Sequence, residues 1–173
     1  MNGIQIQKTG KSHQIHRRGA ARGLPVPLGA TVSFPRGIPG FEQVTGWRFA
    51  SAADIYPFLH MNALEENVGF VCIETFRICP DYRLHLPFPY GDTLALGAES
   101  RLAVLSIVTV GQRPEDTTAN LMSPLVVNLD TRRGEQIILD SSPYPLKFRI
   151  WDHLRLSEAE DGETEQELLA AMG

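Results

Sequence analysis

Any chemistry in this chain would have to come from a few side chains. His13 and His16 form an H-x-x-H pair. That spacing suits a metal ion only with further ligands close by, and none stands near, so the pair reads as surface histidines. Cys72 and Cys79 are the two cysteines. They do not form a C-x-x-C, and two thiols cannot make a disulfide framework, so both are expected to be free. Glu65–Glu66 and Glu115–Asp116 are adjacent acids. Paired-carboxylate catalysis needs two acids facing each other across a substrate, whereas sequence neighbours in turns mostly face water. His60 and His85 lie in strand-like runs, and Ser106 and Ser123 have no supporting base that the sequence identifies. Gly37-Ile38-Pro39-Gly40 carries the bare G-x-x-G of a KH loop, but it follows a strand instead of joining helices. Phosphate-cradling glycine motifs, the G-x-S-x-G elbow and H-E-x-x-H do not occur. The reading is therefore of no catalytic, cofactor-binding or metal-ligating residue.

The elements around these residues are short strands. Between 31 and 156 the apolar pattern has a period of two. It is visible in ATVSFP, WRFAS, YPFLHMN, VGFVCIETF, YRLHL, TANL, PLVVNLD and EQIILD. VLSIVTV is apolar on both faces and reads as a central strand. TRRG (131–134) reads as a hairpin connection, and PYGDTLALG as a turn or short helix with Asp92 as its cap. Fifteen glycines and twelve prolines punctuate the 173 residues. Many short strands between turn signals predict a mainly β, single-domain antiparallel barrel or sandwich. Val32, Phe34, Phe70, Cys72, Leu105, Ile107, Val126 and Ile138 are the expected core.

Charge divides the chain into three parts. Residues 1–29, with Lys8, Lys11, Arg17, Arg18 and Arg22, read as a flexible basic arm. Residues 30–156 form the β domain. Residues 157–173 form an acidic tail in which TEQELLAAM predicts a short C-terminal helix with Leu168, Leu169 and Met172 on one face. The net charge of −4 argues against binding nucleic acid through bulk charge, and no apolar run reaches bilayer-spanning length.

Three ordered stretches carry a resemblance. The first is Phe34-Pro35-Arg36-Gly37-Ile38-Pro39-Gly40-Phe41-Glu42. The second is Phe70-Val71-Cys72-Ile73, with Pro80-Asp81-Tyr82 following. The third is Thr118-Ala119-Asn120-Leu121-Met122-Ser123-Pro124-Leu125-Val126-Val127-Asn128, followed by Gln136-Ile137-Ile138-Leu139 and Tyr144. The chain resembles the flagellar assembly factor FliW family, in which F-x-x-G-(L/I)-P-G-F-E, a phenylalanine-led strand with P-D-Y, and T-x-N-L-x-x-P-(I/L)-V-(I/V)-N come in this order. Many relatives carry Asp-Pro after the phenylalanine-led strand, where Glu74-Thr75 stands here.

The resemblance implies a cytoplasmic β-barrel protein that is not an enzyme. It implies two protein partners, the translational regulator CsrA and flagellin, bound in a switch that couples flagellin translation to filament assembly. No membrane, metal, cofactor or direct nucleic-acid partner is expected. The motif residues Gly37, Pro39, Gly40, Phe41, Glu42, Asp81, Tyr82, Asn120, Leu121, Pro124 and Asn128 are carried over as structural or partner-binding. A CsrA-type regulator binds RNA and is basic, so the acidic tail is expected to attract it, with Glu163, Glu165, Glu167, Leu168, Leu169 and Met172 as contacts. A small β-barrel enzyme or ligand-binding domain stands as the alternative, and an RNA-binding use of the basic arm as a third reading.

Overall fold

A computed structural model describes residues 4–17 and 26–154. The strands in chain order are β1 (Ile4–Thr9), β2 (Ser12–Arg17), β3 (Thr31–Ser33), β4 (Gly46–Ala50), β5 (Leu59–Ala63), β6 (Gly69–Glu74), β7 (Arg83–Pro87), β8 (Leu102–Thr109), β9 (Thr118–Ala119), β10 (Leu125–Asn128), β11 (Arg133–Gln136) and β12 (Phe148–Arg149). Two short helices, α1 (Thr75–Ile78) and α2 (Phe88–Thr93), follow β6 and β7.

Seven of these strands close on themselves in the order β3-β4-β5-β6-β8-β10-β11. β8 makes closure possible by pairing on both edges, to β6 through residues 105–108 and to β10 through residues 102–105. Beyond β10, the same edge of β8 continues to β9, which pairs in turn with β12. The ring is antiparallel except at its seam, where β11 meets β3 in parallel at Arg133 and Ser33. Ser33 N–H also donates to the Arg132 carbonyl there (2.9 Å).

Period-two alternation sends successive β8 side chains into two separate cores. Ala103 and Leu105 point into the barrel with Phe34, Trp47, Phe49, Met61, Cys72 and Val127. Leu102, Val104 and Val108 point outward, under a three-stranded sheet β1-β2-β7 and the two helices. That second core holds Ile15, Phe76, Tyr82, Leu84 and Leu86. A strand apolar on both faces is thus the wall between two cores. Gly134 lets β11 lie against Phe34, since an added Cβ would overlap that ring.

Several expectations need correction. Residues 4–17 are a β-hairpin and not a flexible arm: β2 pairs with β7 along its length, and Ile15 is fully buried. His13 belongs to that hairpin. It is buried edge-on to Phe88 with its Nδ1 unpartnered, and burial and Lys8 lower its pKa. Ile138 is 50% exposed, because β11 ends at Gln136 and it is Ile137 that turns inward. Phe70 and Ile107 are half-buried, while Val32, Phe34, Cys72, Leu105 and Val126 have no exposed surface. Only the end of VGFVCIETF leaves the strand, Thr75 and Phe76 opening the helix α1, and α2 begins after Pro87, so Asp92 caps no N-terminus. TRRG does lie at the β10–β11 hairpin connection, though its Arg133 and Gly134 already belong to β11. The predicted C-terminal helix, and the tail from residue 157, lie outside the described residues.

Glu74, at the end of β6, is held at a titration point unusual for a carboxyl. Burial raises its pKa to about 7 against the pull of Arg77 and Arg17. The fold therefore prefers the protonated acid, and stability falls as pH rises from the unfolded value of 4.5 through 7. Glu74→Gln is expected to add about 2 kcal/mol at pH 8 and almost nothing at pH 4.5. Urea midpoints at the two pH values check this, and an equal change at both would contradict it.

Candidate functional site

The turn that follows β3 is built from its own sequence. Gly37 N–H donates to the Phe34 carbonyl (2.8 Å) and Phe41 N–H to the Ile38 carbonyl (2.6 Å). Gly37 and Gly40 both take positive φ, +66° and +87°, which Pro39 between them cannot. Gly40 N–H donates to Glu42 Oε1 (2.9 Å), and such backbone bonds hold the Glu42 carboxyl below its ordinary pKa. Phe41 is half-buried, edge-on to Phe70 at 5.6 Å.

Most of the other motif residues hold backbone in place. Asn128 is fully buried; its Nδ2 donates to the carbonyls of Leu94 (2.9 Å) and Ala95 (3.3 Å), and its Oδ1 accepts from Asp130 N–H (3.0 Å). Asn120 Oδ1 accepts from the N–H groups of Met122 and Ser123, each at 3.0 Å. Tyr82 is buried, donates its hydroxyl to the Leu121 carbonyl (2.8 Å) and lies against the Tyr144 ring. Leu121 and Pro124 are buried, and the Pro124 carbonyl accepts from Ile137 N–H (2.8 Å). Asp81 is exposed.

The cysteines are free thiols. Complete burial pushes Cys72 up to about 12, and burial together with Asp81 raises Cys79, so neither has the lowered pKa of a reactive thiol. Ser106 is buried and bonded to Thr75 Oγ1 (2.8 Å), not to a base. Among the described residues, no three His, Cys, Asp or Glu side chains group as metal ligands.

A larger concavity lies elsewhere. A groove of about 450 Å³ runs between β6, the 51–58 segment and the residues after β8 and β12. Its walls are mainly apolar, from Tyr56, Phe58, Val71, Val110 and Trp151, with His60 on the rim. Phe58 and Trp151 pack edge to face at 6.2 Å. Tyr56 is 56% and Val110 65% exposed, a large apolar surface left in water. Trp151 Nε1 is buried without a hydrogen-bond partner. Arg77 fixes one wall, with its guanidinium over the Tyr56 ring (5.0 Å) and a hydrogen bond to the Tyr56 hydroxyl (2.6 Å). Arg113, paired with Asp116 (2.8 Å), and the bond from Gly111 N–H to Thr117 Oγ1 (3.1 Å) hold the facing loop.

A second, smaller cleft of about 200 Å³ opens at the turn itself, and Gly37, Pro39 and Glu42 line it. The motif residues are therefore gathered at one recess only in part, and the apolar groove contains none of them. Sequence reasoning missed Tyr56, Val110 and Trp151. Local signals existed in the aromatic cluster Tyr56-Pro57-Phe58 and in Val110, which extends an apolar strand one residue too far.

Comparison with known proteins gives a consistent result. The family model of the FliW protein matches residues 24–150. The flagellar assembly factor FliW of Clostridium tetani is 34% identical over 121 residues, covering 69% of this chain and 83% of that protein. The Anoxybacillus flavithermus factor is 36% identical over 123 residues, covering 70% and 84%. A crystal structure of the flagellar assembly factor FliW superposes with a TM-score of 0.65 at 34% identity, covering 69% of this chain and 84% of that one.

Proposed function

Since the chain belongs to the FliW family of flagellar assembly factors, we propose that it works by binding two proteins in alternation, flagellin and a CsrA-type translational regulator. Free flagellin occupies the protein and releases the regulator to repress flagellin translation. Secretion of flagellin frees the protein to hold the regulator again. In this reading the action is non-enzymatic and takes place in the cytoplasm.

The observation that carries the reading is the open apolar groove of Tyr56, Phe58, Val71, Val110 and Trp151. Its exposed apolar area suits a protein segment that buries its own apolar side chains there, and the Trp151 indole N–H supplies one donor to fix that segment. We assign the groove to flagellin. The acidic balance of the chain suits the basic regulator, whose encounter it would accelerate.

Purified flagellin is expected to co-migrate with this chain in gel filtration at micromolar concentrations. The regulator, loaded first, should be displaced as flagellin is added. Failure of flagellin to co-migrate would overturn the reading.

A further inference from the structure

Glu135 on β11 is a carboxylate with half its hydrogen bonding undone. Its side chain is 6% exposed. Arg36 serves one oxygen twice, through Nε (2.8 Å) and Nη2 (2.6 Å), both on Oε1. Oε2 is closed to water and has no partner. A buried carboxylate oxygen left bare is costly, and burial raises the pKa of Glu135 in spite of Arg36.

This group lines the smaller cleft. Around it stand Glu42, Tyr90, Pro39, Gln136 and Ile138. Arg36 lies over the Tyr90 ring at 5.1 Å. The charges lining the cleft are thus two carboxylates against one guanidinium. Ile138, half in water, gives the rim an apolar surface of the kind that covers an aliphatic stem. The unmet requirement is a donor, preferably cationic, carried on an apolar stem.

We propose that this cleft receives a lysine or arginine side chain of a protein partner, whose charged end completes Glu135 at Oε2 while its stem lies on Ile138 and Pro39. The inference rests on the function proposed above and assigns the basic, RNA-binding partner to this face, apart from the apolar groove. Arg36 is 54% exposed and held only to Oε1, so its guanidinium has room to shift along the Tyr90 ring as a cation reaches Oε2.

Two measurements test it. In the first, amide NMR shifts of the full chain are followed as ethylguanidinium chloride is added, against sodium chloride at equal ionic strength. Saturable shifts are expected at Gly37, Glu42 and Gln136 with ethylguanidinium alone. They should vanish in Glu135→Gln and strengthen several-fold in Arg36→Gln, where the competing guanidinium is gone. A merely structural Glu135 would not produce that gain. In the second, Glu135→Gln should bind the CsrA-type regulator at least tenfold more weakly and bind flagellin as before. Equal shifts with both salts would mean that the cleft does not select a guanidinium, and would overturn the proposal. So would unchanged regulator binding by Glu135→Gln. If the unaltered chain binds no regulator, the functional reading fails, while the ethylguanidinium titration still decides whether the cleft takes a basic group.

Discussion

Aspartate in place of Val110 is expected to weaken flagellin binding at least tenfold while the fold is untouched. Val110 follows β8, is 65% exposed and forms part of the groove wall. Exposed in the free protein, it contributes little to folding, and a surface change of this kind moves stability by about 0.5 kcal/mol or less. In the complex its methyl groups would be covered. Aspartate forfeits that apolar contact, about 1 kcal/mol. It also places a charge against Phe58, Val71 and Trp151 with no partner, which adds about 2 kcal/mol more. Their sum passes the roughly 1.4 kcal/mol that equals tenfold in affinity. Titration calorimetry with flagellin, alongside a melting curve, gives both numbers. Undiminished affinity would place flagellin on another face.

Gly37→Ala is expected to cost about 3 kcal/mol of folding stability, against about 1 kcal/mol for Gly40→Ala. Both glycines sit at positive φ, so both pay the left-handed penalty of an added side chain. Only Gly37 has a second obstacle. A Cβ there would come within 2.5 Å of the Glu42 Cα and carbonyl oxygen, which are backbone atoms and cannot turn aside. At Gly40 the same atom meets open space. The two substitutions therefore separate conformational strain from steric exclusion within a single turn. Urea denaturation of both variants is the check, and equal costs would mean that the close approach at Glu42 relaxes freely.

The barrel is legible in the sequence because its strands alternate and its turns are marked by glycine and proline. VLSIVTV shows its place most clearly, since apolar residues on both faces announce a wall with a core on either side. The hairpin β1-β2 is hidden for the opposite reason. Its runs IQIQKT and SHQIHR are mostly polar, and Ile15 counts as core only once β7 supplies Leu84 and Leu86 beside it. Ile138 shows a different limit. EQIILD looks like a longer strand than β11 proves to be, and when the ladder stops at Gln136 the neighbouring isoleucines exchange roles. The turn of Gly37 and Gly40 was readable from residue type. The groove was not, because positions 56, 58, 71, 110 and 151 meet only in space. The free oxygen of Glu135 is a property of where Arg36 ends, and no residue pattern encodes it.

The parallel seam has a consequence for how the chain is made. β3 leaves the ribosome among the first barrel strands, and the strand that covers its open edge, β11, comes roughly a hundred residues later, as the Arg36–Glu135 separation of 99 shows. For most of its synthesis the nascent barrel is an open, curled sheet whose β3 edge offers unpaired backbone groups to any neighbouring strand. Shortness is its protection, because at three residues β3 gives a passing strand little to grip. The ion pair from Arg36 to Glu135 forms across that same late junction, so it latches the ring only after every other wall is standing.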